Sequence, residues 1–243
     1  MAAGGRAATA AAACLLATAV AFGLLAPGAQ RGDAFGTQEA DRNASPATEQ
    51  ESEFPRIDWE HWRAVNPDVV GWVTVPGTAI DQPIVQARPE DDAFYLSHAI
   101  DGSPDAMGCA FLDADCTAGL DAPNCVVYGH NWSGRRMFAD FASFADAAFA
   151  EEHGTILLQT PDVKRRLQVR CVEVADGDEG TNVTTFDGQE ELKAWFQARY
   201  AASRVKLEDA PVAESAPARV YTFCTCSDDE SLDQRVLVYA YEE

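Results

Sequence analysis

Alternation along Val220-Tyr221-Thr222-Phe223-Cys224-Thr225-Cys226 puts Val220, Thr222, Cys224 and Cys226 on one face of a strand and Tyr221, Phe223 and Thr225 on the other. Cys226 closes that strand. A polar, acidic connection over 227–234 follows, after which Arg235, Leu237, Tyr239 and Tyr241 share a face of a returning strand. A hairpin of the two sets Arg235 beside Cys226. Earlier in the chain, Val126, Tyr128 and His130 alternate onto one face, and His130 ends its strand before Asn131-Trp132-Ser133-Gly134. If that strand borders the Cys226 strand, a thiol, an imidazole and a guanidinium meet at one rim.

Those three residue types divide a nucleophilic reaction between them. A thiol with the ordinary pKa of about 8.5 is only a few per cent thiolate at neutral pH, so a base or a nearby positive charge must make it reactive. Imidazole can do this and later protonate a leaving amine. An arginine, always charged, can hold a carbonyl oxygen as negative charge grows on it. Taken singly, each has a plainer reading: a cysteine outside the cell sits in a disulfide, a strand-end histidine is polar surface, and one arginine is solvated.

Their order and local sequence resemble the sortases, cysteine transpeptidases of Gram-positive cell surfaces, and among them class B. The similarity spans about residues 57 to 241. It is carried by Thr222-Phe223-Cys224-Thr225-Cys226, like the family's TLxTC strand, by Val127-Tyr128-Gly129-His130-Asn131, like its histidine segment, and by Arg235 opening the last strand. Gly71-Trp72-Val73-Thr74-Val75-Pro76-Gly77-Thr78 and Ile80-Asp81-Gln82-Pro83-Ile84-Val85-Gln86 also look like its first strands. The resemblance implies Cys226 as nucleophile, His130 as general acid and base, and Arg235 as the group that positions substrate and stabilises the oxyanion, with Thr225 helping to shape the oxyanion site. It also implies a substrate, the C-terminal sorting signal of a surface protein, and an acceptor amine from a peptidoglycan precursor or a pilin. No cofactor and no metal are implied. Phe223 in place of leucine and Cys224 at the variable position depart from the pattern without touching the three catalytic types.

The elements that must position these residues read as a mainly β domain. Asp58 caps a helix carrying Trp59, Trp62 and Val65, and Pro67 stops it. Short strands follow over 71–75, 80–86, 108–113 and 125–130, then a helix marked by Phe138, Phe141, Phe144 or Ala145, and Phe149. Strands over 155–159 and 163–175, a helix with Leu192, Trp195, Phe196 and Tyr200, and the two strands already described complete the chain. About eight strands with few helices predict an eight-stranded, closed or nearly closed sortase-type β-barrel with an N-terminal helix and peripheral helices, preceded by a single transmembrane anchor. The helix at 192–200, inserted before the cysteine strand, fits class B.

Composition sets the compartment and excludes one partner. Among 243 residues, 39 Asp+Glu outweigh 18 Lys+Arg for a formal charge of −21, so nucleic acid is excluded as a partner. Residues 7–27 carry no charge and have the length of one bilayer crossing, with Arg6 before them, so residues 1–28 are expected to anchor the chain in the cell membrane with the rest outside. A cleaved signal peptide is the alternative, given the small Ala26, Gly28 and Ala29. Residues 29–55 read as a flexible acidic stalk and 56–243 as the catalytic domain.

Lesser signals have surface explanations. Asp176, Asp178, Asn182 and Asp187 come near a calcium-loop spacing but lack the required ligands at Gly180 and Asp187, and read as solvated acids. Asn43, Asn131 and Asn182 each open an N-x-S/T triplet to which nothing is assigned. Cys109, Cys116 and Cys125 are candidates for a bridge, whereas Cys224 and Cys226, about 7 Å apart by strand rise, form a redox-sensitive pair. Two rival functions stand beside the transpeptidase: a secreted cysteine peptidase with water as acceptor, and a surface binding module in which Cys226 is structural.

Overall fold

The computed structural model describes residues 53–132, 134, 136–176, 183–207, 217–226 and 234–242. The expected anchor, the stalk through residue 52, Asp178, Gly180 and Asn182 of the acidic loop, and the 227–233 connection lie outside them.

Eight strands close into a barrel. In chain order they are β1 (Val69–Thr74), β2 (Asp81–Gln86), β3 (Ala110–Leu112), β4 (Asn124–Tyr128), β7 (Thr155–Gln159), β8 (Lys164–Asp176), β10 (Val220–Cys226) and β11 (Gln234–Glu242). They are ordered β11-β10-β4-β3-β2-β1-β7-β8, and β11 pairs back onto β8 to complete the ring. Most pairs are antiparallel, but β2–β3 and β4–β10 run parallel. A two-residue strand, β9 (Val205–Lys206), pairs antiparallel with β8 at Cys171 and Val172, and β5 (Asn131–Trp132) with β6 (Arg136–Met137) forms a separate small ribbon directly after His130.

Period-two alternation separates two cores. Inward-facing Cys125 and Val127 of β4, Tyr221 and Phe223 of β10, and Val236, Val238 and Ala240 of β11 fill the barrel with Ile84, Leu112, Ile156 and Leu158. Outward-facing Val220, Cys224, Leu237 and Tyr239 pack under α4 (Gln189–Ala202), whose Leu192 and Phe196 are fully buried against them. The first helix, α1 (Trp59–Val65), is capped as expected by Asp58, which accepts from the His61 backbone N–H at 3.0 Å. Its Trp59 and Trp62 are half-buried against a third cluster with Tyr95 and Phe111.

The phenylalanine run is two short helices rather than one. α2 (Ala139–Ser143) and α3 (Ala147–Glu152) break at Asp146, whose carboxylate caps the second by accepting from Phe149 N–H at 3.0 Å. Ahead of the break, Phe138, Phe141 and Phe144 all reach the barrel interior, where Phe141 stacks on Phe223 with centroids 4.9 Å apart.

α4 is fixed to the barrel by a buried polar cluster. Glu173 of β8, with its side chain 4% exposed, pairs with Arg199 of α4 at 3.1 Å and accepts from the Tyr239 hydroxyl at 2.9 Å. Burial, then the neighbouring carboxylate, pushes the Tyr239 phenol well above its ordinary range, so it stays a donor. Glu173→Ala strands the partly buried Arg199 charge and is expected to cost about 3 kcal/mol, against about 1 kcal/mol for Tyr239→Phe. Urea midpoints of the two variants check the order.

Candidate active site

The strand register puts the three chemically able residues at one end of the barrel. Cys226 pairs directly with Arg235 across β10–β11. On the other side of β10, Cys224 pairs in parallel with Tyr128 of β4, and the ladder runs one step further through Gly129 N–H donating to the Cys224 carbonyl at 3.2 Å. His130 lies two residues beyond Tyr128 as Cys226 lies two beyond Cys224. Because β4 and β10 are parallel, both leave the barrel at the same rim. Asn131 ties the two ends together, its side-chain amide donating to the Cys226 carbonyl at 3.3 Å.

Gly129 is required where it stands. A Cβ there would meet the Phe138 ring at 2.6 Å, and Phe138 N–H in turn donates to the His130 carbonyl at 3.0 Å. The histidine backbone is thereby seated on the barrel's aromatic core.

The half-buried His130 ring is held through Nε2, 2.8 Å from the Leu96 carbonyl. A carbonyl only accepts, so the facing nitrogen carries the proton and Nδ1 is left to exchange one. Leu96 belongs to a 3-10 turn (Phe94–Leu96) in the long β2–β3 connection. Sequence reasoning did not find it, because a backbone carbonyl acts regardless of residue type.

Below Cys226 on the same outer face lies Cys224, 4% exposed. Burial pushes its thiol up to about 12; the Arg235 guanidinium opposes this, while the Cys226 sulfur and Asp113 add to it. Next to it the Tyr128 hydroxyl donates to Asp113 at 2.8 Å, and burial raises the pKa of each.

Thr225 faces away from this cluster. Its side chain is on the inner face of β10, 3% exposed, and its hydroxyl lacks a hydrogen-bond partner among the described residues. Asp176 and Asp187, the described members of the acidic loop, and Asn131 of the middle N-x-S/T triplet add no site of their own.

The six described cysteines form no disulfide with one another. Burial is the largest influence on five of them: Cys109, Cys116, Cys171 and Cys224 are pushed up to about 12 and Cys125 further still. Cys226 alone among the six is partly exposed. Iodoacetamide at neutral pH, without reductant, is therefore expected to label Cys226 in preference to the other five, read by peptide mass spectrometry. A structural disulfide at Cys226 predicts no label there.

No family model matches the chain. It is 28% identical over 178 residues to sortase B of Listeria monocytogenes, an alignment covering 72% of this chain and 69% of that protein. The X-ray structure of Clostridium perfringens sortase B superposes with a TM-score of 0.68 at 27% identity, over 76% of this chain and 98% of that one. A Staphylococcus aureus sortase B–substrate complex shares the fold, with a TM-score of 0.66 at 23% identity over 80% of this chain and 88% of that one. So does a crystal structure of a sortase B complexed with triglycine, with a TM-score of 0.64 at 22% identity over 75% of this chain and 84% of that one.

Proposed function

We propose, for a chain that is a homologue of the class B sortases and a cysteine transpeptidase, that Cys226, His130 and Arg235 carry the reaction and that a surface protein's C-terminal sorting signal is its substrate. The reading rests on one observation: Cys226 and Arg235 are register partners, and the parallel β4–β10 pair delivers His130 to the same rim.

His130 takes the Cys226 thiol proton onto Nδ1, and the resulting thiolate attacks the carbonyl carbon of a Thr-containing peptide bond. Arg235 lies against the developing oxyanion, and His130 gives its proton through Nδ1 to the departing amine, so the C–N bond breaks and a thioester remains. An acceptor amine then passes a proton to His130 and attacks the thioester, forming a new amide and returning the thiolate. The S. aureus substrate complex and the triglycine complex support a peptide donor and an amine acceptor by analogy. The acceptor is an amine of a peptidoglycan precursor or a pilin. Thr225, turned inward, serves the oxyanion site by filling the barrel end beneath Cys226 rather than through its hydroxyl.

Residues 7–27 are proposed as a single membrane anchor that leaves the catalytic domain outside the cell. Partition of the intact chain into the detergent phase supports this; a soluble product beginning near residue 29 rejects it. The enzymatic proposal is tested with a peptide library and mass spectrometry of the trapped adduct. A thioester on Cys226 that added amines convert to new amides is expected. Hydrolysis unaffected by amines would reassign the chain as a peptidase.

A further inference from the structure

We propose that Asn66 is a positioning residue for His130, acting at a distance through the loop that presents the Leu96 carbonyl; the inference rests on His130 having the role given above. Asn66, at the end of α1, is 7% exposed and uses both ends of its side-chain amide. Its Nδ2 donates to the Tyr95 hydroxyl at 3.0 Å and to the Ile100 carbonyl at 2.7 Å, while its Oδ1 accepts from Asp68 N–H at 2.8 Å. One side chain thus clamps the loop on both sides of Leu96 and ties it to the start of β1.

The clamp is reinforced around Tyr95. That ring is 1% exposed, its hydroxyl also reaches Asp68 Oδ2 at 3.4 Å, and Asp68 is paired with Arg88. Cys109 N–H donates to the Tyr95 carbonyl at 3.1 Å. Independently, Gly108 presses on the same carbonyls: a Cβ there would meet Tyr95 O at 2.4 Å and Leu96 O at 3.0 Å, and its φ of +63° disfavours any side chain. The carbonyl that accepts from His130 Nε2 is therefore set from two directions, by Asn66 through Tyr95 and Ile100 and by the bare backbone of Gly108.

A histidine held at Nε2 keeps Nδ1 as the exchanging nitrogen. If the carbonyl shifts, the neutral ring loses its reason to favour that tautomer, and the wrong nitrogen is protonated in a share of molecules. Substrate binding does not depend on this, so the loss falls on kcat.

The test uses the full chain labelled with 15N-histidine. It holds 4 histidines, and a His130→Gln spectrum assigns the resonance. Long-range 1H–15N spectra are expected to show His130 as the Nε2–H tautomer in the native chain and as a mixture in Asn66→Ala and Gly108→Ala. Kcat should fall by roughly tenfold to a hundredfold, with KM little changed. Tyr95→Phe keeps the buried ring and removes only the hydroxyl; it should show a smaller shift in the same direction, and it keeps the question answerable if the other two do not fold. Variants that lose stability while His130 keeps its native tautomer and kcat would overturn the proposal. The spectra need no substrate, so a native chain inert toward sorting peptides would count against the function and leave the positioning result intact.

Discussion

Cys226→Ala is expected to abolish sorting-peptide cleavage, lowering kcat by about four orders of magnitude or more while the fold persists. The size of the effect follows from there being no second nucleophile among the described residues of the rim. Cys224, two residues away on the same face, is 4% exposed and its thiol is pushed up to about 12. It is neither ionised nor accessible, and cannot stand in. The substitution removes one sulfur from a half-buried strand end, so melting temperature should move little. Cleavage is read by the new N-terminus released from a fluorescent peptide; turnover by the alanine variant at the native rate would remove the sulfur from the mechanism altogether.

Arg235→Ala is expected to be the next largest loss, about a hundredfold to a thousandfold in kcat, the usual cost of removing one oxyanion partner. Arg235→Lys should recover only part of it. The guanidinium is planar and keeps a fixed fork of donors, whereas an ammonium on a flexible stem must be ordered anew at each turnover. The position is demanding because Arg235 is the direct cross-strand partner of Cys226, and its charge opposes the effect of burial on the neighbouring Cys224. Single-turnover acylation rates check both variants. Equal activity of Lys and Arg would mean that charge alone matters there; an alanine variant with native kcat would take Arg235 out of the chemistry.

The site was legible in the sequence to the extent that strand alternation governs it. Period two put Cys224 with Cys226, Arg235 with Leu237, and Tyr128 with His130, and the structure keeps each pair on the outer face. What alternation does not carry is which strands become neighbours. That β4 lies parallel to β10, across almost a hundred residues of chain, depends on how the whole barrel closes. The Leu96 carbonyl and its clamp were invisible for another reason: backbone groups carry no side-chain signature, and Asn66 reads as an ordinary helix end until its partners are known. The aromatic helix came out divided because Asp146 offered a cap that outweighed the continuing apolar period.

Pairing of β11 back onto β8 has a final effect on how a peptide can be held. A sheet with an open side can capture an extended ligand by giving it a place in the ladder, but a ring has no vacant rung. The strand carrying Cys226 is engaged on both flanks, by β4 and β11. A peptide substrate of the kind proposed would therefore be gripped from above, by side chains and connecting segments at the mouth, so discrimination among substrates could change through those segments while the cylinder beneath stays as it is.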